Sequence, residues 1–329
     1  MNKMKLVILS SKLVGEKLGS SIYTEDGVMF LKKGSNLSEL TIKRLRNIGM
    51  RTIYIDDGND QVTLQEIIPT TIRLGLTKSL REVFEEALKT QNVNYSKVSQ
   101  IIKEILENIN LSENAVLINN LVPKDDIAKL CNHSIDVTIY SIMIGIRRKL
   151  NERKLINLAI GALLHDIGKL FTKGQEHTKI GYQLLKSNTL FSPTSYMCIY
   201  ELYEKKDGSG PLGIKEDKIF EFSKIVSICN AYVKYINDEK GILPHVALER
   251  ITAEAGNSYD EEIYKDFINT IYCYPNGLSV KLNNGQDAVV IAQNKDSATR
   301  PIVQVKENGK YNFYNLLSNL TLFIVEVNL

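Results

Sequence analysis

The sequence predicts a mainly α chain: a helical bundle with a small α/β module before it and a short β-rich extension after it. Three observations predict this. Apolar residues recur at three- and four-residue spacing through most of residues 73–275. Two β-rich runs flank "EDG" near the start, and two more flank "NNG" near the end; both are hairpin signals. The composition, 43% hydrophobic and 24% charged over 329 residues, is that of a globular chain long enough for more than one domain.

The elements follow in order. In residues 1–58, "SSIYTEDGVMFLKKGSNLS" supplies two strand-like runs. "SNLSELTIKRLRNIG" then places Leu37, Leu40, Ile42, Leu45 and Ile48 at near-helical spacing, with Gly49 as a stop, and "RTIYIDD" closes the module as a strand. Residues 59–72 read as a linker, because "DDGNDQVTLQ" is polar and turn-rich. Within 73–275, "RLGLTKSLREVFEEALK" and "YSKVSQIIKEILENI" are amphipathic. "DIAKLCNHSIDVTIYSIMIGIRRKL", "LINLAIGALLHDIGKL" and "KIFEFSKIVSICNAYVKYIN" are apolar nearly all round, as central bundle helices are. Residues 276–329 return to strand character in "LSVKLNNGQDAVVIAQN", "RPIVQVKENGKYNFYNLL" and "LTLFIVEVNL".

Bulk properties exclude some functions. A net charge of +3, from 41 basic and 38 acidic residues, is too small an excess for a dedicated nucleic-acid binder. Cys131, Cys198, Cys229 and Cys273 form no CxxC pair and sit among apolar residues, so they read as reduced, buried small hydrophobes. The N-terminal apolar stretch is too short for a signal peptide, and no run approaches the roughly 18 apolar residues of a membrane span. A cytoplasmic protein is expected.

The informative residues are polar ones on apolar helix faces. His133 shares a face with Leu130, Val137 and Ile144; His165 and Asp166 interrupt "GALLHDIGKL"; Asn230 lies with Phe222, Val226 and Val233. Each is costly to bury without a partner. A lone buried histidine or asparagine is most often a hydrogen-bonded core residue. The adjacent His165–Asp166 pair adds a second reading, since imidazole and carboxylate both bind divalent first-row metals and bundles build such sites from facing helices. Spacing alone leaves the two readings level. His245, following Pro244 at a helix start, reads as a surface or capping residue, and "RRKLNERK" as a solvated helix end.

Read outward from these residues, the chain resembles the HD-GYP subfamily of the HD metal-dependent phosphohydrolases, whose members hydrolyse cyclic di-GMP. "AIGALLHDIGKL", "EHTKIGYQLLK" and "YEKKDGSGPLGIKEDKIFEFSKIVSICNAY" resemble successive parts of that domain. The N-terminal module and the β tail resemble segments that accompany it. The resemblance implies an HD-type helical bundle, with His133, His165 and Asp166 as metal ligands. It also implies that Lys169 contacts a phosphate, with Asp166 and Lys169 as the catalytic pair, and that His177 serves a second metal.

The departures decide the expected function. Where the family has a His-His-Glu triplet, this chain has Leu202, Tyr203 and Glu204. The family's metal-binding Asp is Asn230, a neutral and weaker ligand. A family Glu is Lys129, the GYP tripeptide is reduced to Gly210-Pro211, and the segment between His165 and His177 is about 15 residues shorter than is usual in the family. Glu201 and Glu204 stand near the lost histidines but read as solvated. One site for a divalent metal, Fe or Mn, is therefore expected at most. The expected protein binds cyclic di-GMP, another nucleotide or a protein partner with weak or no hydrolysis. A residual single-metal phosphohydrolase and a homodimeric scaffold are the alternatives.

Overall fold

The computed structural model describes residues 5–56, 65–112, 115–118, 120–174, 176–237, 242–295, 297, 299–307 and 309–327. Of the expected linker, 59–72, residues 59–64 lie outside the described residues; the rest is not a bare linker but holds a two-residue strand, Gln65–Glu66, and the start of a helix at Thr70.

In the N-terminal module β1 (Lys5–Ile8) pairs antiparallel with β4 (Thr52–Ile55). Helix α1 (Glu39–Asn47) lies between them in sequence and is capped by Ser38, whose side chain accepts from the Thr41 amide. The "EDG" hairpin forms as β2 (Ile22–Thr24) and β3 (Met29–Leu31). A short strand from beyond the first two bundle helices, β7 (Leu121–Val122), adds parallel to β2. Another such pair joins β5 (Gln65–Glu66) to β6 (Ala115–Val116). The module is therefore stitched to the bundle by backbone as well as side chains. Arg81 adds to this by reaching both Glu25 at 2.8 Å and Asp125 at 2.6 Å.

The bundle runs α2 (Thr70–Thr90), α3 (Tyr95–Asn108), α4 (Asp126–Arg147), α5 (Glu152–Leu164), α6 (His177–Lys186), α7 (Pro193–Tyr200), α8 (Glu221–Ile236), α9 (Pro244–Ser258) and α10 (Glu261–Ile268). Asp125 caps α4 and Asn151 caps α5. The all-round apolar character of α4 and α5 has a physical cause: each serves two cores. Ile135, Ile139, Ile160 and Leu163 face one core with α2 and α3; Val137, Ile144, Leu158 and Ala162 face another with α8, α9 and α10. All four cysteines are buried and none forms a disulfide. Among the described residues no helix is long and apolar enough to cross a membrane.

The C-terminal strands β8 (Ser279–Leu282), β9 (Asp287–Ala292), β10 (Ile302–Glu307), β11 (Lys310–Asn315) and β12 (Ile324–Val327) form one antiparallel sheet in the order β11-β10-β9-β8-β12. The mainly α class with strands at both ends is thus what the fold shows.

His245 corrects one expectation. It is half-buried, its ring stacks on Tyr274 at 5.3 Å, and Nδ1 is buried with no hydrogen-bond partner among the described residues. Burial pushes its pKa down to about 4. The sign follows. Between the unfolded value near 6.5 and about 4 the unfolded chain binds the extra proton, so stability falls as pH drops through that window. His245→Phe is expected to flatten the stability profile between pH 6.5 and 4, measured by urea unfolding. An unchanged slope would contradict this.

Candidate metal centre

The HD pair does not lie inside a helix. Helix α5 ends at Leu164, His165 keeps right-handed helical angles as its cap, and Asp166 leaves them at φ −108°, ψ 10°. A short 3-10 turn, Ile167–Leu170, follows. The single helix expected over "LINLAIGALLHDIGKL" is broken at Asp166, which turns its carboxylate toward α4.

Gly168 explains how the shortened connection to α6 works. A Cβ built there would lie 1.8 Å from the His177 carbonyl oxygen and 3.0 Å from the Gly181 amide nitrogen. Only glycine lets the first turn of α6 press against this turn, and that contact carries His177 into the site. Every clashing atom is backbone, so Gly168→Ala must displace α6. It is expected to cost about 1–3 kcal/mol, the range for overpacking. A thermal melt matching the unaltered chain would contradict it.

Four side chains from three helices and the turn converge. His133 Nε2 lies 3.2 Å from His165 Nε2, 3.0 Å from Asn230 Oδ1 and 3.5 Å from Asp166 Oδ2. His165 Nε2 lies 3.1 Å from Asp166 Oδ2. His165 Nδ1 donates to the Ala162 carbonyl at 2.7 Å, which leaves a bare lone pair on Nε2. Three acceptors (His165 Nε2, Asn230 Oδ1 and Asp166 Oδ2) therefore face His133 Nε2, which offers at most one proton. Such crowding of lone pairs calls for a cation. The spacing suits one, since ligand atoms bound at about 2.1 Å to one ion stand roughly 3.0–3.5 Å apart. His133, His165 and Asp166 form a group able to hold a metal ion, and the chemistry of this donor set fits it.

The electrostatics agree. Burial alone would favour a neutral Asp166; imidazoles of His165, His133 and His177 that carry a proton toward it hold the carboxyl well below its usual range, a role that a cation among them would take over. Burial pushes His133 down, against the pull of Asp166, and keeps it in the neutral form that ligation requires. Lys169 donates to Asp166 Oδ2 at 2.5 Å. The other carboxylate oxygen, Oδ1, is buried and has no hydrogen-bond donor among the described residues.

His177 reaches the far side of Asp166, its Nε2 lying 3.4 Å from Oδ1. Its Nδ1 donates to the Gly174 carbonyl at 3.0 Å, so Nε2 is an acceptor there too. The Tyr203 hydroxyl fills that acceptor, lying 3.2 Å from Nε2. Burial raises the phenol's pKa, so it stays a neutral donor. Lys234 Nζ donates in turn to the Tyr203 oxygen at 3.1 Å and sits 4.8 Å from the ring centroid. Leu202 points into the α8–α10 core, fully buried.

A cleft of about 980 Å³ opens over this cluster. Its wall carries five lysines, Lys129, Lys169, Lys173, Lys205 and Lys234, against two acids, Asp126 and Asp166. Lys129 pairs with Asp126 at 3.2 Å and does not join the ligand cluster.

A family model described as "HD domain" matches residues 130–232. The cyclic di-GMP phosphodiesterase PA4108 of Pseudomonas aeruginosa is 24% identical, over 84% of this chain and 78% of that protein. The cyclic di-GMP phosphodiesterase PdeB of Borreliella burgdorferi is 27% identical, over 54% of this chain and 52% of that one. The fold is shared with Bd1817, an HDG"Y"P protein of Bdellovibrio bacteriovorus, at TM-score 0.51 and 17% identity over 80% of this chain and 98% of that one.

Residues 130–232 thus match an HD domain, and the chain is similar to HD-GYP proteins.

The altered signature of this chain has a structural reading. Glu201 and Glu204 are not solvated, as expected, but 4% and 5% exposed. Glu201 Oε2 accepts from the Phe220 amide at 2.9 Å and the Ser223 hydroxyl at 2.8 Å, and so caps α8. Glu204 accepts from the Leu212 and Ile214 amides, both at 2.7 Å. It pins the loop in which Gly210 and Pro211 line the cleft. Gly210 approaches so closely that a Cβ there would meet the Glu204 Cα at 2.6 Å. Both glutamates are committed to backbone amides rather than to a cation. Sequence reasoning missed Lys234 altogether. The available signal was its place four residues after Asn230, one helical turn along α8.

Proposed function

We propose that this HD-domain protein binds a cyclic dinucleotide, cyclic di-GMP being the first candidate, over one divalent metal, and turns it over weakly or not at all. The observation that carries this is the Tyr203 hydroxyl on His177 Nε2. It satisfies the donor that a second metal needs, while Leu202 is buried in a core away from the site.

His133, His165 and Asp166 would hold the metal, Mn or Fe by the preference of imidazole and carboxylate donors, with Asn230 Oδ1 beside them. When bound, such an ion polarises a phosphoryl oxygen and lowers the pKa of water. The chain's own residues do the rest. Asp166 balances charge and orients Lys169, whose ammonium is placed for a phosphate oxygen. Lys129, Lys173 and Lys205 give the cleft a positive field that draws in an anionic ligand. The relatives named above, both cyclic di-GMP phosphodiesterases, support the ligand class.

Cyclic di-GMP incubated with Mn²⁺-loaded protein, with products separated by chromatography, tests the reading. Turnover is expected roughly 10²–10³-fold below that of a two-metal relative, the scale of losing one preorganised charge stabiliser. Turnover equal to such a relative sinks it.

A further inference from the structure

We propose that Lys234 and Tyr203 together stand in for a second cation, so that a phosphodiester in this cleft is held between one metal and a lysine ammonium rather than between two metals. This rests on the functional reading above and assigns a role to Lys234, which that reading leaves without one.

Three observations carry it. First, the second metal's remaining donors, His177 Nε2 and Asp166 Oδ1, are 3.4 Å apart and face each other as acceptors. Two acceptors at that distance need positive charge or a donor nearby. Second, the Tyr203 hydroxyl supplies the donor. It can give only one proton, and it gives it to His177. Its oxygen then accepts from Lys234 Nζ, so the lysine ammonium, its pKa lowered to about 8 by partial burial, sits one hydrogen bond behind the histidine. Third, Lys234 is exposed to the cleft and stacked against the Tyr203 ring, so its ammonium is oriented and keeps donors available for a ligand. An ammonium there also disfavours a divalent ion at His177 by like-charge repulsion.

The arrangement predicts two separable results. Tyr203→His with Lys234→Ala removes the blocking hydroxyl and the repelling charge and restores an imidazole. Together with His177 and Asp166 this makes three protein ligands, enough for a metal site with open positions. Bound Mn²⁺, measured by plasma mass spectrometry after gel filtration, is expected to rise by one equivalent per chain over the unaltered protein. No rise overturns the proposal.

The second result concerns binding without metal. With EDTA present, Lys234→Ala is expected to bind cyclic di-GMP about tenfold or more weakly by calorimetry, since a charge-assisted bond to phosphate is lost. Lys234→Arg is expected to stay within about threefold of the unaltered chain, because it keeps the charge. Equal affinity for Lys234→Ala and the unaltered chain overturns the proposal. Circular dichroism establishes that each variant is folded. The two failures are distinguishable. Fast hydrolysis, or no cyclic di-GMP binding by the unaltered chain, sinks the functional reading, and the metal count of the double variant still decides the proposal.

Discussion

Asp166→Asn is expected to lower Mn²⁺ affinity by at least about 100-fold, beyond the 10–100-fold typical of losing a residue that only supports a ligand. The carboxylate is the hub of the site. Oδ2 faces His165 at 3.1 Å, His133 at 3.5 Å and Lys169 at 2.5 Å, while Oδ1 faces His177 at 3.4 Å. It is also the only negative charge in the ligand cluster, since the remaining donors are imidazoles and the Asn230 amide. Asparagine keeps the shape and removes the charge. An incoming dication then meets neutral donors and the unbalanced Lys169 ammonium in a buried setting, where little solvent screens the repulsion. Calorimetric Mn²⁺ titration measures this. An affinity within threefold of the unaltered chain would mean that the metal is held elsewhere.

The second large effect lies away from the site. Arg73 on α2 and Asp136 on α4 are each 1% exposed, joined at 2.5 Å from Nη2 to Oδ1. The pair ties α2 to the helix that carries His133. Arg73 Nε and Nη1 find no hydrogen-bond partner among the described residues, so the ion pair is poorly compensated for the water it gave up. Breaking it from one side leaves a buried lone charge. Arg73→Met is expected to destabilise by roughly 3–5 kcal/mol. Removing both charges is expected to undo this, because apolar side chains suit that core. Arg73→Met with Asp136→Leu should unfold in urea at or above the midpoint of the unaltered chain. A single variant losing under about 1 kcal/mol, or a double variant as weak as the single, would contradict the argument.

These two cases mark what the sequence makes legible. Bundle helices announce themselves through local periodicity, and the terminal hairpins through Asp-Gly and Asn-Gly turns, so element type and order follow from neighbours in sequence. His165 and Asp166 are legible for the same reason: a polar pair inside "GALLHDIGKL" breaks a pattern. The break of α5 at Asp166 is not, since it follows from Gly168 packing on a helix that comes later in the chain. The roles of Glu201 and Glu204 are likewise tertiary. "YEKKDG" looks solvated until the loop at 210–214 folds back and lends Glu204 its amides. Strand β7 is two residues long and gains its identity only by pairing with β2, about a hundred positions away. Lys234 looks like any helical lysine until Tyr203 is placed against it.

The proposed single-metal site rests on Leu202, Tyr203 and Asn230, and the geometry gives each a surrounding of its own. Leu202 belongs to the core, Tyr203 satisfies His177, and Asn230 offers a neutral oxygen 3.0 Å from His133. Among the described residues one cluster, His133, His165 and Asp166, could hold a metal ion, and it lies under a lysine-rich cleft.

The most direct test of that claim is the number of metal ions the unaltered chain retains. Protein purified without chelator, equilibrated with excess Mn²⁺ and desalted, is expected to carry one ion per chain by plasma mass spectrometry. Two ions per chain, or none, would contradict the account.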